Sequence, residues 1–530
     1  MMGNKKLQVW LPLLFSIVMI AGMFLGYKLG NQNAGNKGFF SSNKRGALQE
    51  AVDVIRLHYV DSLYIDSLES KAIREIMTEL DPHSVYLPPE DLKEANEDLA
   101  GEFPGIGVEF NVFNDTVNVV YVIPNGPSDK AGLQIGDKIL SVNDSSLTRK
   151  AFTVDEIKKY IRGERNSKAV LKVLRNNSLQ TVSVTRGTIP VPSVDASYMI
   201  DKTAGYIKLN KFTENTYEEF MQAMENLQKQ GLQSLVLDLR GNGGGFMNEA
   251  VDIADEFLDG DKLIVYTEGV NDKKREYRCK RPGLFEKGKL VLLVDELSAS
   301  ASEVLAGALQ DWCRATIIGR RTFGKGLVQQ QYPLSDGSAL RLTIARYYTP
   351  LGRSIQRSYG KGKKVYMEEL WERYNSGEML SADSVKIHNN GKKFTTGCQD
   401  TLYGGDGITP NVFVPLDTSR LQQQTLRMLG NTSLSNLVYN YYLQNKQQLE
   451  QYKTATDYAS GFNSSVLWND LVKNNNDSFK LKTAGAKERE MIEQRLKALL
   501  ARYKWRNSGF YQVLNSQDPV IKKAIETIAK

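Results

Sequence analysis

The sequence predicts a multidomain protein of mixed α+β and α/β character behind an N-terminal membrane helix. Three observations carry this reading: an uncharged apolar run from Val9 to Tyr27, an alternating β-type stretch that opens at Gly105, and buried-type strands that take turns with helical patterns between residues 198 and 350. At 530 residues the chain has room for about three or four folded units, each with its own core. With 41% apolar and 24% charged residues, it is neither fibrous nor disordered.

Composition removes several function classes. The net charge of +7, from 68 basic and 61 acidic residues, is a mild excess for this length and predicts no nucleic-acid partner. The three histidines (His58, His83, His388) and three cysteines (Cys279, Cys313, Cys398) form none of the close pairs that hold a transition metal. No metal and no cofactor is expected. Three widely spaced cysteines are too few for a disulfide framework, and an odd number cannot all pair internally. A Ser-His-Asp enzyme is not excluded, but nothing around the histidines favours one. If the protein is an enzyme, its base is expected not to be histidine.

Taken in order, Lys5 and Lys6 precede the apolar run, which as a helix would rise about 28 Å, close to the thickness of a bilayer core. The lysines favour a cytoplasmic N-terminus and an exported remainder. A cleaved signal peptide is the alternative, and no small-x-small cleavage site follows the run. Residues 31–45 read as a flexible tether. Residues 46–100 read as helical, with apolar stripes at Ala47, Val54, Ile55 and Leu57 and at Ile73, Ile76, Met77 and Leu80; Asp81-Pro82 ends the second helix. No chemistry is visible there.

Residues 101–187 change character. Val117 to Val122 reads as a strand, AGLQIGDKILSVN (131–143) follows, and a helix at 153–162 and a strand at 169–175 close the unit. This order resembles a PDZ domain over nearly the whole module. The resemblance implies a protein that binds free C-termini by adding the tail as a strand to a sheet edge. Its carboxylate would sit on backbone N–H groups of Gly105, Ile106, Gly107 and Val108. Taken alone, that loop is an ordinary β-turn.

The next region alternates. Ala204–Leu209 is a short strand, a helix spans about 216–230, Ser234–Leu239 is a buried-type strand, and a helix covers about 247–258. Leu290–Val294 is a second buried strand, and a helix opens near Ser300. Residues 358–403 are polar and irregular, with a helix around 366–375, whereas 404–415 returns to strand composition. Residues 420–530 read as helical and charged. The expected organisation is therefore a membrane segment (1–30), a tether (31–45), a helical lead-in (46–100), the PDZ unit (101–187), an α/β core (188–357 and 404–418), an insertion (358–403) and a helical C-terminal extension (419–530).

Three segments of the core could carry chemistry. Ser298-Ala-Ser-Ala-Ser-Glu303 follows a strand and opens a helix, so a serine there is an ordinary N-cap or a group placed among bare N–H donors that stabilise an oxyanion. Gly319–Gly326 nearly spells a phosphate loop, but Gly326 replaces the required hydroxyl and a strand follows instead of a helix. Its glycines suit a lysine that points into a packed site; the plain alternative is a solvated turn lysine. Asp238–Gly245 misses the dinucleotide fingerprint because Phe246 stands where a glycine is needed, yet its bare N–H groups could complete an oxyanion hole.

At these segments the sequence resembles the C-terminal processing, or tail-specific, proteases. The matching phrases are DLRGNGGG (238–245), SASASEVLAGALQD (298–311) and GRRTFGKGLVQ (319–329), with LDPHSVYLPPEDL (80–92) and GDGITPNV (405–412) in support. The resemblance runs from about 46 to 417. It implies a serine endopeptidase of a bacterial-type envelope, anchored in the inner membrane with its catalytic part in the periplasm, that cuts proteins recognised by their tails. Ser300 would be the nucleophile, Lys325 the base, Gln329 the residue orienting the lysine, and the N–H groups of Gly245 and Ala301 the oxyanion donors. Asp311 matches a family position for which a structural role is expected. The offset of four between Lys325 and Gln329 puts both on one face of a strand, and would also do so on a helix. The chain departs from the family in the roughly 50 residues between Arg357 and Gly405 and in its C-terminal extension. Adaptor contacts, homo-oligomer contacts and a substrate platform are all open uses for them. The alternative function is a catalytically inactive PDZ scaffold, which the joint presence of Ser300, Lys325 and Gln329 argues against.

Overall fold

A computed structural model describes residues 15–23, 46–113, 115–148, 152–382, 392–416, 432–474, 481 and 484–530. Of the Val9–Tyr27 run only residues 15–23 are described, as an exposed helix, α1. Among the described residues no helix is long and apolar enough to cross a membrane. The 31–45 tether lies outside the described residues.

The chain divides into Met1–Glu75 and Ile76–Lys530. The first unit carries α2 (Ala47–His58) and most of α3 (Ile65–Thr78), and Arg56 pairs with Glu69 at 3.5 Å.

The second unit opens with a turn whose hub is the Asp81 carboxylate. It accepts the N–H groups of His83 (2.8 Å) and Ser84 (3.0 Å). There follow β1 (Val85–Leu87), α4 (Pro89–Ala100) and β2 (Glu102–Gly105), which pairs with β9 (Gly187–Pro190). That ribbon brackets a sheet ordered β3-β4-β5-β7-β8, from β3 (Val108–Phe113), β4 (Thr116–Val122), β5 (Lys138–Val142), β7 (Lys168–Arg175) and β8 (Ser178–Thr185), with the short α5 (Pro127–Lys130) between β4 and β5 and β6 (Ser145–Ser146) paired to β5. The helix α6 (Val154–Ile161) closes its core through Ile157 and Ile161, and Thr153 and Glu156 cap it reciprocally.

The central sheet has the order β10-β11-β12-β15-β16-β21: β10 (Val194–Met199), β11 (Ala204–Leu209), β12 (Ser234–Asp238), β15 (Lys289–Val294), β16 (Thr316–Gly319) and β21 (Val412–Phe413). From β11 on, the strands are parallel. Such strands are buried on both faces, which explains their unbroken apolar runs. The two-residue pleat sorts the side chains. Leu235, Leu237, Leu290 and Leu292 turn toward α7 (Thr216–Lys229), α8 (Met247–Asp255) and α9 (Ala301–Asp311). Val236, Val291 and Leu293 turn the other way, where the last helix, α15 (Pro519–Ala529), covers them with Val520, Ile521 and Ala524.

A second sheet joins β1, β13 (Leu263–Glu268), β14 (Arg275–Arg278), β17 (Leu327–Pro333) and β18 (Ala339–Tyr348). The 358–403 segment holds α10 (Lys363–Asn375), a little longer than expected, and β19 (Lys393–Thr395), which pairs with β20 (Thr401–Tyr403). Cys313, just past α9, and Cys398 form a disulfide. The cysteine count gave no reason to expect a single bridge. Cys279 is free and buried. The C-terminal extension contributes α11 (Thr432–Leu449), α12 (Ala455–Gly461), α13 (Ser465–Asn474), α14 (Ala486–Asn515) and α15. α14 reaches the PDZ-like sheet, where Arg502 (3.0 Å) and Arg506 pair with Glu109 of β3.

Candidate active site

The three motif segments leave the C-terminal ends of three parallel strands, β12, β15 and β16, that lie side by side in the sheet. Open α/β sheets place their sites at this edge. The glycine loop after β12 is stitched to the serine loop after β15 through Asn242. Its carbonyl accepts from the Ala299 N–H (3.0 Å) and the Ser302 hydroxyl (2.9 Å). Its side chain accepts the Gly244 N–H (2.9 Å) and donates to the Leu209 carbonyl (3.2 Å).

Ser300 ends the serine loop at φ 56°, ψ −114°, a conformation that L-residues rarely take. Gly244 makes its close approach possible, and Gly245 lets the glycine loop lie against Phe212. A Cβ on Gly244 would stand 2.7 Å from the Ser300 Cβ, and one on Gly245 would stand 2.0 Å from the Phe212 carbonyl oxygen. Among the described residues the Gly245 and Ala301 N–H groups meet no backbone acceptor.

Lys325 lies in the loop between β16 and β17, two residues before β17, so it shares neither a strand nor a helix with Gln329 as the spacing suggests. A β-bulge at Val328/Gln329 intervenes. The pair still meets: the Lys325 Nζ donates to the Gln329 Oε1 at 3.0 Å, and the Gln329 Nε2 donates to the His83 carbonyl at 2.5 Å. Burial lowers the Lys325 pKa, and the positive charge of Arg341 lowers it further, against the opposing charges of Glu303 and Asp81.

One group joins nucleophile and base segments. Glu303, fully buried, accepts the Ser300 N–H (2.8 Å), the Lys325 N–H (2.9 Å), the Gly324 N–H (2.7 Å) and the Thr322 hydroxyl (2.5 Å). Burial pushes its carboxyl up to about 7, and these donors pull the other way. The Tyr347 hydroxyl reaches the Ser300 carbonyl at 2.9 Å and contacts the Lys325 carbonyl.

Together these segments form a cleft of about 640 Å³. Gly245, Ser300, Ala301, Lys325, Gln329 and Arg341 line it, and Leu99, Phe246, Met247, Val304 and Leu327 give it apolar walls. All five core residues singled out from sequence are therefore at one cleft. Asp311 is not. It sits at the far end of α9, where the buried Arg353 donates to it at 3.0 and 2.6 Å and the Leu351 N–H at 2.9 Å. Among the described residues no three His, Cys, Asp or Glu side chains gather where a metal ion could sit.

Sequence reasoning missed several members. Residues 46–100 show no chemistry in sequence, yet the His83 carbonyl holds Gln329 and α4 lines the cleft through Asn96, Leu99 and Ala100. The His83 ring bonds the Tyr366 hydroxyl at 2.8 Å, and burial, then the Lys325 charge, lowers its pKa to about 4. The signal for Glu303 was available, because a Glu three residues after an N-cap serine is half of a capping box. Tyr347 and Arg341 offered no local signal.

The PDZ-type loop forms the turn between β2 and β3. Gly107 has φ +77°, the Ile106 carbonyl accepts from Ser128 (2.9 Å) and the Gly107 carbonyl from Ile123 (3.1 Å). β3 is an edge strand of its sheet. Val108, Phe110 and Val112 pack against the core that α6 completes.

Comparison with known proteins decides the kinship. A probable CtpA-like serine protease of Staphylococcus epidermidis is 33% identical over 400 residues, covering 73% of this chain and 78% of the relative. The chain belongs to peptidase family S41. The S41 family profile matches residues 203–362, which contain all three site loops, and a PDZ domain profile matches 104–185. A family of unknown function matches 425–506. A CtpA-like protease of Staphylococcus aureus is 34% identical over 384 residues, covering 72% of this chain and 75% of the relative. Among solved structures, a photosystem II D1 C-terminal processing protease is 27% identical with a TM-score of 0.36, covering 69% of this chain and 92% of that one. This S41 member is a serine-type peptidase that carries a PDZ domain.

Proposed function

We propose that the protein is an endopeptidase of the cell envelope that selects substrates by their free C-termini and cuts them with a Ser300–Lys325 dyad. The observation that carries this reading is the shared cleft: a serine with unusual backbone geometry, a partly buried lysine and two bare N–H donors line one cavity. A free lysine is charged at neutral pH and cannot take a proton. Burial and the Arg341 charge move Lys325 toward the neutral amine. That amine accepts the Ser300 proton as the hydroxyl oxygen attacks the scissile carbonyl. The oxyanion is held by the N–H groups of Gly245 and Ala301. Lys325 then protonates the leaving amine, and water, activated in the same way, hydrolyses the acyl-enzyme. Gln329 and the His83 carbonyl keep the lysine aimed.

A tail would enter beside β3 with its carboxylate on Gly105–Val108, in the PDZ unit of 101–187. The protease core would comprise 188–357 and 404–418. Two features support an exported location: the apolar run at 9–27, read as an inner-membrane anchor, and the Cys313–Cys398 disulfide, which persists in oxidising compartments. Adaptor binding, self-association and a substrate platform are the candidate roles for the 358–403 insertion and the 419–530 extension.

The test is cleavage of an unfolded protein with an apolar C-terminus. Wild type is expected to cut it, an amidated tail to slow the reaction, and Ser300→Ala to abolish it. Full activity of Ser300→Ala would refute the catalytic reading. An unchanged rate on the amidated tail would refute the PDZ selection.

A further inference from the structure

The glycine loop has an anchor that the S41-matched region does not supply. Arg240 opens the loop. Its N–H (2.9 Å), Nε (3.0 Å) and Nη2 (2.6 Å) all donate to the buried Asp238 carboxylate, which also accepts from the Tyr206 hydroxyl at 2.8 Å. Lys208 contacts the Arg240 carbonyl and lies 3.5 Å from Asp238. These residues leave two cations against one carboxylate. The balancing charge comes from the C-terminal extension: the Arg240 Nη1 donates to the Asp518 Oδ2 at 2.7 Å. Asp518 is itself held, because its Oδ1 caps α15 through the N–H groups of Val520 (2.7 Å) and Ile521 (3.4 Å). α15 is fixed in turn by its apolar packing on the sheet. Past Arg240 the loop continues through Gly241, bonded to Asp295 at 2.9 Å, and the Asn242 clamp to Gly245.

We infer that Asp518 is a positioning residue for catalysis: through Arg240 it fixes the start of the glycine loop and so the direction of the Gly245 N–H. The inference rests on the reading of Gly245 as an oxyanion donor. It gives the extension a part in the reaction beyond covering the sheet. Without the Asp518 charge, Arg240 is left partly buried with an unpaired donor and a neighbouring lysine, and the start of the loop keeps only its Asp238 and Lys208 contacts.

Asp518→Asn separates the two jobs of this side chain. Asparagine caps a helix as well as aspartate does, but brings no charge to Arg240. The assay is peptide cleavage normalised to active sites counted by a covalent serine titrant. The expected result is about a tenfold lower kcat with KM within twofold, smaller than the ~100-fold or more of losing a donor outright. Asp518→Glu is expected to recover most of kcat. In a double-mutant cycle, Asp518→Asn should cost nothing further on an Arg240→Gln background. A purely structural role would lower the count of active sites and leave kcat per site at the wild-type value, and that outcome overturns the inference. If the Asn variant does not fold, Asp518→Ser, which also caps, replaces it under the same criteria. Failure here leaves Ser300→Ala inactive, whereas failure of the underlying reading would show as an active Ser300→Ala, so the two are distinguishable.

Discussion

A single methyl group on Gly245 probes the geometry of the site. In Gly245→Ala the new Cβ would lie 2.0 Å from the Phe212 oxygen and 2.7 Å from its carbonyl carbon, at a φ of +147°. Relief to ordinary contact requires a shift of more than ~1 Å. Phe212 cannot supply it, since it is fully buried in the main core and bonded on both sides, its N–H to the Gly244 carbonyl (3.1 Å) and its carbonyl to the Phe246 N–H (2.8 Å). The glycine loop must move, and the Gly245 N–H moves with it. A misplacement of about 1 Å costs on the order of 100-fold, or about 2.7 kcal/mol of transition-state stabilisation. Steady-state cleavage of a peptide with an apolar C-terminus, normalised to titrated sites, should show that loss in kcat with KM nearly unchanged. Gly243→Ala is the control within the same loop: its Cβ meets nothing within 4 Å. It should retain near-wild-type activity. A folded, titratable Gly245→Ala enzyme with kcat within threefold of wild type would refute the oxyanion geometry.

Two further outcomes are expected. Arg341 lowers the Lys325 pKa by charge repulsion, so Arg341→Gln should raise that pKa and move the rising limb of the pH–kcat/KM profile to higher pH; a limb that stays or moves down contradicts the assignment. The Cys313–Cys398 bridge closes a separation of 85 residues that includes Lys325 and Gln329. The chain-entropy relation gives about 4 to 5 kcal/mol for such a loop. Denaturant unfolding with and without reductant should show that scale of loss, as should the double Cys→Ser variant, and equal stabilities would count against it.

Local patterns made much of the fold readable. Buried Val/Leu runs marked β12 and β15, and helices stood close to where the apolar periodicity set them. The site was readable where its residues cluster in sequence, as in the serine and glycine loops. What stayed hidden depends on distant pairing. The Gln329 amide bonds a carbonyl 246 positions away, and Asp518 meets Arg240 across 278. No pattern within a window of a dozen residues carries such contacts. Lys325 and Gln329 pair as their offset of four implies, but a loop and a bulge, not one face of a strand or helix, bring the two side chains together. The disulfide was invisible for a similar reason: its partners are adjacent only once α9 and the insertion have folded.

The central claim is that Lys325 takes the proton of a nucleophilic Ser300. The most direct measurement is the rate of covalent modification by a fluorophosphonate, followed by mass spectrometry across pH in wild type and Lys325→Ala. The account predicts one adduct, on Ser300, forming faster as pH rises, and a loss of roughly 100-fold or more in the lysine variant. An adduct on another residue, or a Lys325→Ala enzyme labelled at Ser300 as fast as wild type, would contradict it.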